Sequence, residues 1–189
     1  KEVWLIRGDA FLGLDNYSEA VASYEKSIQI DSKYGVAWYK KGLALMFLDR
    51  YSEAITCFDM TMALNVLYEN SLSLKGWSLY KLDRYSEAIK CYDEIIARNP
   101  NNDQAWYEKG IIFQDLGVYS EAIACYDKVI KLNPKNSGPW EYKGEIFYSL
   151  KKYSEAIECF DRAIDIAPLS AGAWNSKGLA LTALEEYSE

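Results

Sequence analysis

Apolar residues along this chain recur with the spacing of short helices that come in pairs. Residues 35–48 repeat an apolar residue or a glycine every three or four positions, as one helix face requires, at Trp38, Gly42, Leu45 and Leu48. Residues 51–62 carry a second such face, at Tyr51, Ala54, Ile55, Phe58 and Met62. A short turn near residues 49–51 separates the two faces, so the pattern predicts a helical hairpin.

The same pattern returns every 34 residues without an insertion or a deletion. Its clearest marker is the tripeptide Tyr-Ser-Glu, which begins at Tyr17, Tyr51, Tyr85, Tyr119, Tyr153 and Tyr187. The chain divides into five complete repeats and a half repeat, at residues 1–34, 35–68, 69–102, 103–136, 137–170 and 171–189. A fixed period of this length predicts a single array of stacked helix pairs over residues 1–189. The chain begins at Lys1 and ends inside the sixth marker, so we expect a fragment of a longer protein.

Other positions, numbered 1 to 34 within each repeat, recur with the marker. Position 4 is occupied by Trp4, Trp38, Leu72, Trp106, Trp140 and Trp174. Position 8 is always glycine, at Gly8, Gly42, Gly76, Gly110, Gly144 and Gly178. Position 20 is alanine, as at Ala20 and Ala54. Position 24 is aromatic, at Tyr24, Phe58, Tyr92, Tyr126 and Phe160. Proline stands at position 32 of the last three complete repeats, at Pro100, Pro134 and Pro168.

These columns together resemble the tetratricopeptide repeat, whose pattern is Trp, Gly, Tyr, Ala, an aromatic residue and Pro. The resemblance covers the whole chain and departs from the pattern at Ser32, Val66 and Leu72. It implies an all-α fold, a right-handed superhelical solenoid of stacked antiparallel helix pairs. The half repeat from Ala171 is then expected to supply a first helix that covers the last complete repeat.

Several columns carry local expectations. A glycine inside a helix costs about 1 kcal/mol relative to alanine, so we expect position 8, together with Ala20 and its equivalents, to let paired helices approach closely. Serine at position 18 is expected to cap the second helix, and Glu19 to favour its positive end. We expect the tryptophans of position 4 to lie in the core, and Tyr17 and its equivalents to pack at the turn.

The amino-acid composition argues against several classes of function. The net charge of −7 and the pI near 4.8 argue against a nucleic-acid partner and against an anionic membrane surface. No apolar run reaches the roughly 18 residues that a membrane helix needs. Histidine is absent and no glycine-rich phosphate loop occurs, so we expect no catalysis, no metal site and no cofactor.

The cysteines and the charged columns are expected to be structural. The four cysteines all stand at position 23, at Cys57, Cys91, Cys125 and Cys159. Stacked helices lie roughly 8–10 Å apart, which is too far for a disulfide, so reduced, semi-buried thiols and a cytoplasmic location are expected. The acidic residues of position 25, from Glu25 to Asp161, are expected to form a solvated stripe that pairs with the basic residues of position 7, from Arg7 to Lys177.

Function is expected where the repeats differ. The resemblance implies that positions 2, 5, 9, 12 and 13 of the first helices line a concave groove. From these positions we take as candidate peptide-binding residues Tyr39, Leu43, Met46, Trp77, Tyr80, Tyr107, Ile111, Gln114, Glu141 and Glu145. We expect these positions to face solvent, and an exposed apolar patch with aromatic and Met side chains is typical of a binding surface. The alternative is that these side chains pack against the neighbouring first helix.

The groove positions also carry charge. Five acidic residues oppose Lys81 alone, namely Glu2, Asp9, Asp115, Glu141 and Glu145, which gives about −4 and predicts an apolar, basic protein or peptide partner. Some members of the family clamp acidic chaperone tails with lysine, arginine and asparagine. The corresponding residues here are Leu5, Asp9, Lys40, Asn70 and Leu74, so that activity is not expected.

Two functions remain open from the sequence. The first is a scaffold or adaptor that binds a peptide or a partner protein in the groove. The second is a structural spacer or a module for weak end-to-end self-association, since a head-to-tail contact that does not close makes filaments.

Overall fold

The computed structural model describes residues 1–186, and Tyr187 of the sixth marker lies outside them. That part of the chain folds into eleven α-helices and contains no strand. The helices are α1 Glu2–Gly13, α2 Tyr17–Ile30, α3 Gly35–Phe47, α4 Tyr51–Ala63, α5 Tyr68–Tyr80, α6 Tyr85–Arg98, α7 Asp103–Asp115, α8 Tyr119–Leu132, α9 Gly138–Ser149, α10 Tyr153–Ile166 and α11 Ala171–Glu186. Each complete repeat is one hairpin of two helices, and the half repeat supplies α11, as the pattern predicts.

The helices form two compact units, one from Lys1 to Arg98 with α1–α6 and one that starts at Asn99 with α7–α11. We call them the N-terminal unit and the C-terminal unit. Inside each unit every helix packs on the next one along the chain, so helix pairs stack on helix pairs. The fold class is therefore all-α, with stacked antiparallel hairpins. That all repeats form a single array stays a prediction.

The contact that joins the two helices of a repeat lies between position 8 and position 24. The Phe160 ring lies where a side chain at Gly144 would begin, since a Cβ atom there would be 2.5 Å from the ring. The same clash, at 2.7 Å, would arise between Gly42 and Phe58. The rings at position 24 are almost completely buried. Glycine thus permits the predicted close approach, and the neighbour it accommodates is the aromatic ring of position 24.

The turn between the two helices is built differently from our expectation. Position 15 adopts a left-handed conformation in all five complete repeats, for example at Asp15 with φ 57° and at Gly117 with φ 70°. The next residue is the N-cap, and Asn16 accepts a hydrogen bond from the Glu19 amide at 3.4 Å. The prediction that Ser18 and its equivalents cap the second helix is wrong, because the helix already begins at Tyr17. The expected packing of this tyrosine at the turn is present, and its hydroxyl donates to Asp15 at 2.7 Å.

The tryptophans of position 4 are not core residues, contrary to our expectation. Trp38, Trp106 and their equivalents are only partly buried, and Trp174 is 52% exposed. The indole N–H needs an acceptor, and it finds one at position 32 of the preceding repeat: Trp38 donates to the Ser32 carbonyl at 2.9 Å. Trp174 donates to the Pro168 carbonyl at 2.9 Å. These indole hydrogen bonds therefore link consecutive repeats.

The charged columns pair between repeats, as expected. A lysine at position 7 forms an ion pair with the acidic residue at position 25 of the preceding repeat, and Lys41–Glu25 and Lys75–Asp59 measure 2.8 and 2.6 Å. Where position 4 is a tryptophan, the lysine also lies over that ring, and the Lys41 Nζ is 5.7 Å from the Trp38 ring centre. Partly exposed pairs of this kind stabilise by about 1 kcal/mol or less, so we assign them a role in the register of the stack.

The four cysteines are free and buried. Burial raises the pKa of the Cys57, Cys91 and Cys159 thiols to about 11, from an ordinary value of 9.0. Nearby lysines lower these pKa values and nearby carboxylates raise them, but burial has the largest effect. The thiols are packing residues, as the spacing predicts.

The glycine–ring contact predicts opposite effects for the same substitution at two glycines. Gly144→Ala places a methyl group against the Phe160 ring and should destabilise the chain by about 1–3 kcal/mol. Gly178→Ala meets nothing within 4 Å and should stabilise by up to about 1 kcal/mol through helix propensity. Urea unfolding of both variants measures the difference. Equal effects of the two substitutions would show that the ring does not constrain position 8.

The buried thiols predict slow alkylation in the folded chain. At about pH 8, iodoacetamide should modify Cys57, Cys91 and Cys159 at least about one hundred-fold more slowly than in the urea-unfolded chain, because the folded thiols bind their protons more tightly. A raised pKa in the folded state also means that stability is lost as pH rises from 9.0 through about 11. Mass spectrometry of the labelled peptides follows each thiol, and equal rates in both states would contradict their burial.

Candidate functional site

The candidate binding residues lie on the first helices of both compact units. The N-terminal surface comprises residues of α3 and α5, namely Tyr39, Leu43, Met46, Trp77 and Tyr80. The C-terminal surface comprises residues of α7 and α9, namely Tyr107, Ile111, Gln114, Glu141 and Glu145. None of the ten is fully buried: nine are partly buried and Glu145 is exposed.

The N-terminal surface has a packed part and an open part. Tyr39 and Met46 pack against the core of the unit, and the Tyr39 ring meets the Phe58 ring edge-on, with centres 6.2 Å apart. Trp77 and Tyr80 contact one another instead, with ring centres 5.3 Å apart. The Lys81 ammonium lies 5.3 Å from the centre of the Trp77 ring. The Trp77 and Tyr80 rings thus form a partly exposed aromatic patch next to a cation.

The C-terminal surface contains a layer of three tyrosine rings. Tyr126, at position 24 of α8, stacks on Tyr142 with ring centres 5.5 Å apart, and Tyr107 meets Tyr142 edge-on at 5.6 Å. Tyr107 therefore packs against the neighbouring first helix α9. This is the alternative to ligand binding that the sequence left open for the candidate residues. Burial raises the pKa of both Tyr107 and Tyr126. The Tyr126 hydroxyl donates to Gln114 at 3.0 Å, so this layer is closed.

The acidic charge of the candidate positions is smaller than the sequence count. Asp9 is not a free charge, because its carboxylate accepts from Lys40 and from the Tyr24 hydroxyl, each at 2.8 Å. Lys40 belongs to position 6 of the next repeat, which the count omitted. The count of about −4 therefore includes one carboxylate that has a basic partner, whereas the carboxylates of Glu141 and Glu145 on α9 form no ion pair with residues 1–186.

Glu141 and Glu145 lie one helical turn apart on α9. Neither forms an ion pair with any residue from 1 to 186: Glu141 accepts from the Ser170 hydroxyl at 3.3 Å, and Glu145 accepts from the Gln114 amide at 3.3 Å. Partial burial and the neighbouring Glu141 raise the pKa of the Glu145 carboxyl, and the Gln114 hydrogen bond opposes this rise. The two carboxylates are therefore available to a cationic ligand.

A pocket of about 220 Å³ opens beside Glu145 in the C-terminal unit. Its wall is formed by side chains of α9, α10 and α11, namely Glu145, Tyr148, Ser149, Phe160, Ser176 and Leu179. Sequence reasoning placed Tyr148, Ser149 and Leu179 at groove positions but missed Phe160 and Ser176. The signal was present in two columns: position 24 is phenylalanine instead of tyrosine at Phe160, and position 6 carries its smallest residue at Ser176.

Residues 1–186 contain neither a metal-binding cluster nor a membrane-spanning helix. No group of three or more Cys, Asp and Glu side chains there is placed to hold a metal ion. No helix of residues 1–186 combines the length and the apolar character needed to cross a membrane.

The chain matches family models described as tetratricopeptide repeat over residues 1–34, 36–59, 73–137, 108–171 and 143–189. None of the curated proteins compared with the chain matches it.

Several solved structures share the fold. MamA 41-end from Desulfovibrio magneticus RS-1 is 19% identical, with 90% of this chain and 96% of that chain covered and a TM-score of 0.80. YrrB, a TPR protein with an unusual peptide-binding site, is 22% identical over 93% of this chain and 90% of its own, with a TM-score of 0.73. The first TPR of Spaghetti, bound to an HSP90 peptide, is 23% identical over 62% of this chain and 93% of its own, with a TM-score of 0.58. The helix pairs, the position 8 and 24 contact and the family matches lead to one conclusion: the chain belongs to the tetratricopeptide repeat family.

Proposed function

We propose that this chain is a non-catalytic scaffold whose first helices bind a peptide or a segment of a partner protein. The tetratricopeptide fold is generally a scaffold for protein–protein interaction. Two structurally similar proteins support a peptide ligand: YrrB has a peptide-binding site, and the Spaghetti repeat was solved with an HSP90 peptide. The observation that carries the proposal is the partly exposed pair of rings Trp77 and Tyr80 on α5, which contact one another beside the Lys81 ammonium.

The second helices supply most of the buried side chains of the repeats. Their residues at positions 20, 23 and 24 form the core, as Ala54, Cys57 and Phe58 do in the second repeat. The first helices contribute fewer buried side chains and keep their variable positions partly exposed. A ligand that binds along the first helices therefore gains contact area without disturbing the packing between repeats.

The surfaces favour a partner with apolar anchors and positive charge. Aromatic side chains such as Trp77 are the residues that most often dominate binding energy. Glu141 and Glu145 attract a cationic group and repel an acidic one. The proposed partner is therefore an apolar, basic peptide, and neither nucleic acid nor an anionic membrane fits this charge. The free, buried thiols support a reducing compartment such as the cytoplasm.

A library of random 12-residue peptides displayed on phage tests the proposal. Selection against the chain should enrich peptides with aromatic or aliphatic residues next to Arg or Lys. The Trp77→Ala variant should lose at least about ten-fold in affinity for a selected peptide, since large truncations at such anchors cost about 1.4 kcal/mol or more. Met60→Ala is the matched control, because Met60 is a partly exposed apolar residue of the second helix α4. Unchanged affinity in Trp77→Ala and also in Glu145→Gln would contradict the proposal.

Self-association is the second candidate function. Val3 and Ile6 on α1 are 77% and 66% exposed, which is unusual for adjacent apolar side chains on one helix. A second copy of the chain that covers them would bury this face. Sedimentation velocity over a wide concentration range should then show a rising average mass that Ile6→Glu abolishes. A constant monomer mass would exclude this function for the chain.

A further inference from the structure

We propose that the pocket beside Glu145 receives the side chain of a single arginine of the bound peptide. This inference rests on the proposed function and adds the chemistry of one subsite to it. The pocket is lined by Glu145, Tyr148, Ser149, Phe160, Ser176 and Leu179, and three features of these residues define the ligand: an open space, an apolar floor and a carboxylate at the rim.

The space exists because two side chains are smaller here than one repeat earlier. Between the fourth and fifth repeats, Tyr126 and Tyr142 stack on one another and fill the corresponding place. Between the fifth repeat and the half repeat, Phe160 replaces Tyr126 and Ser176 replaces Tyr142. The ring of Tyr142 and the hydroxyl of Tyr126 therefore have no counterpart here, and a volume of about 220 Å³ stays open.

The N-terminal unit has no equivalent opening at its own position 6. Lys40 fills that place between the first and second repeats through its ion pair with Asp9, at 2.8 Å. Leu74 occupies it between the second and third repeats and packs against the core. The opening therefore depends on the small residue at position 6 of the half repeat, Ser176, and not on the repeat pattern as such.

The floor of the pocket is apolar. Phe160 is 1% exposed and presents its buried ring, while Leu179 and Tyr148 form partly exposed walls. Water that fills such a pocket gains few hydrogen bonds from the floor, and an aliphatic stem that displaces it is favoured. The occupant must therefore carry at least a short apolar chain.

The rim of the pocket carries charge without a cation to balance it. Glu145 stands at the rim, and among the described residues its carboxylate accepts only the 3.3 Å hydrogen bond from the Gln114 amide. Glu141 lies one turn away on the same helix and also has no ion pair there. This contrasts with Asp59, whose carboxylate at position 25 is 2.6 Å from Lys75. A carboxylate without a cationic partner is stabilised when a cationic ligand group binds beside it.

A long basic side chain matches both the floor and the rim. Its methylene groups contact Phe160 and Leu179 while its charged end reaches Glu145. Arginine fits better than lysine, because a planar guanidinium stacks on an aromatic ring such as Tyr148 and binds a carboxylate through two parallel hydrogen bonds. An uncharged aliphatic side chain would desolvate Glu145 without replacing its lost hydrogen bonds. An acidic side chain would be repelled.

The direct test uses a small arginine probe with an uncharged counterpart of the same shape. Nα-acetyl-L-arginine methylamide is titrated into the 189-residue chain. The backbone amide signal of Ser176 and the methyl signals of Leu179 are followed by NMR. Nα-acetyl-L-citrulline methylamide is the matched ligand control, since it keeps the shape and loses the charge. Binding with a Kd on the order of 1–10 mM is expected for the arginine probe, and at least about five-fold weaker binding for the citrulline probe.

Matched protein variants separate charge from shape. Glu145→Gln should lower the affinity for the arginine probe about ten-fold, because the substitution removes a charge-assisted hydrogen bond. Glu155→Gln makes the same charge change on the outside of α10 and should leave the Kd unchanged. Ser176→Tyr should abolish binding by restoring the ring found at Tyr142. Ser176→Leu is the second variant for the case that the tyrosine does not fold, and it should also weaken binding.

Three results would overturn the inference: no signal shift at millimolar probe, equal affinity for the arginine and citrulline probes, or full binding in Glu145→Gln and in the folded Ser176 variants. The proposed function is judged separately by the selected peptides. If these peptides bind through Trp77 while the arginine probe does not bind, the scaffold function stands and only the arginine pocket is wrong. If neither binds, both fail.

Discussion

The packing of an aromatic ring against a glycine is the contact on which the rest of this structure depends. In each complete repeat the ring at position 24 of the second helix lies against the glycine at position 8 of the first, so closely that even a methyl group would clash, as at Gly144 and Phe160. The contact fixes the distance between the two helices of a hairpin. It also directs the second helix inward, with Ala156, Cys159 and Phe160 all buried.

Because the second helices form most of the core, residues of the first helices remain available for a binding surface. The second helices supply most of the core, and the junctions between repeats are fastened by the bond from tryptophan to the position 32 carbonyl and by the lysine–carboxylate pairs. Residues of the first helices that face away from these contacts are free to differ from repeat to repeat. One pair of consecutive repeats therefore presents a closed tyrosine layer around Tyr142, and the following junction presents a pocket around Ser176.

The sequence predicted the repeats, the helix pairs and the pairing of charges, because these depend on spacing alone. It misplaced the tryptophans, since a large aromatic side chain was taken as a core residue, although its indole N–H needs a carbonyl acceptor at the repeat junction. It also misplaced the helix cap, because the left-handed residue at position 15 shifts the start of the second helix to Tyr17. The charge of Asp9 was overcounted because its partner Lys40 lies 31 residues away. The sequence columns show that Phe160 and Ser176 lack the hydroxyl and the ring present one repeat earlier, but that positions 24 and 6 face one another across a repeat junction is visible only in three dimensions.

Hydrogen–deuterium exchange of the chain with and without a selected basic peptide tests most directly whether the first helices bind while the second helices hold the core. The account predicts that the peptide slows exchange on first helices, namely α5 in the N-terminal unit or α9 and α11 in the C-terminal unit, and leaves the second helices α4 and α10 unchanged. Protection confined to the second helices, with α5 and α9 unaffected, would contradict it.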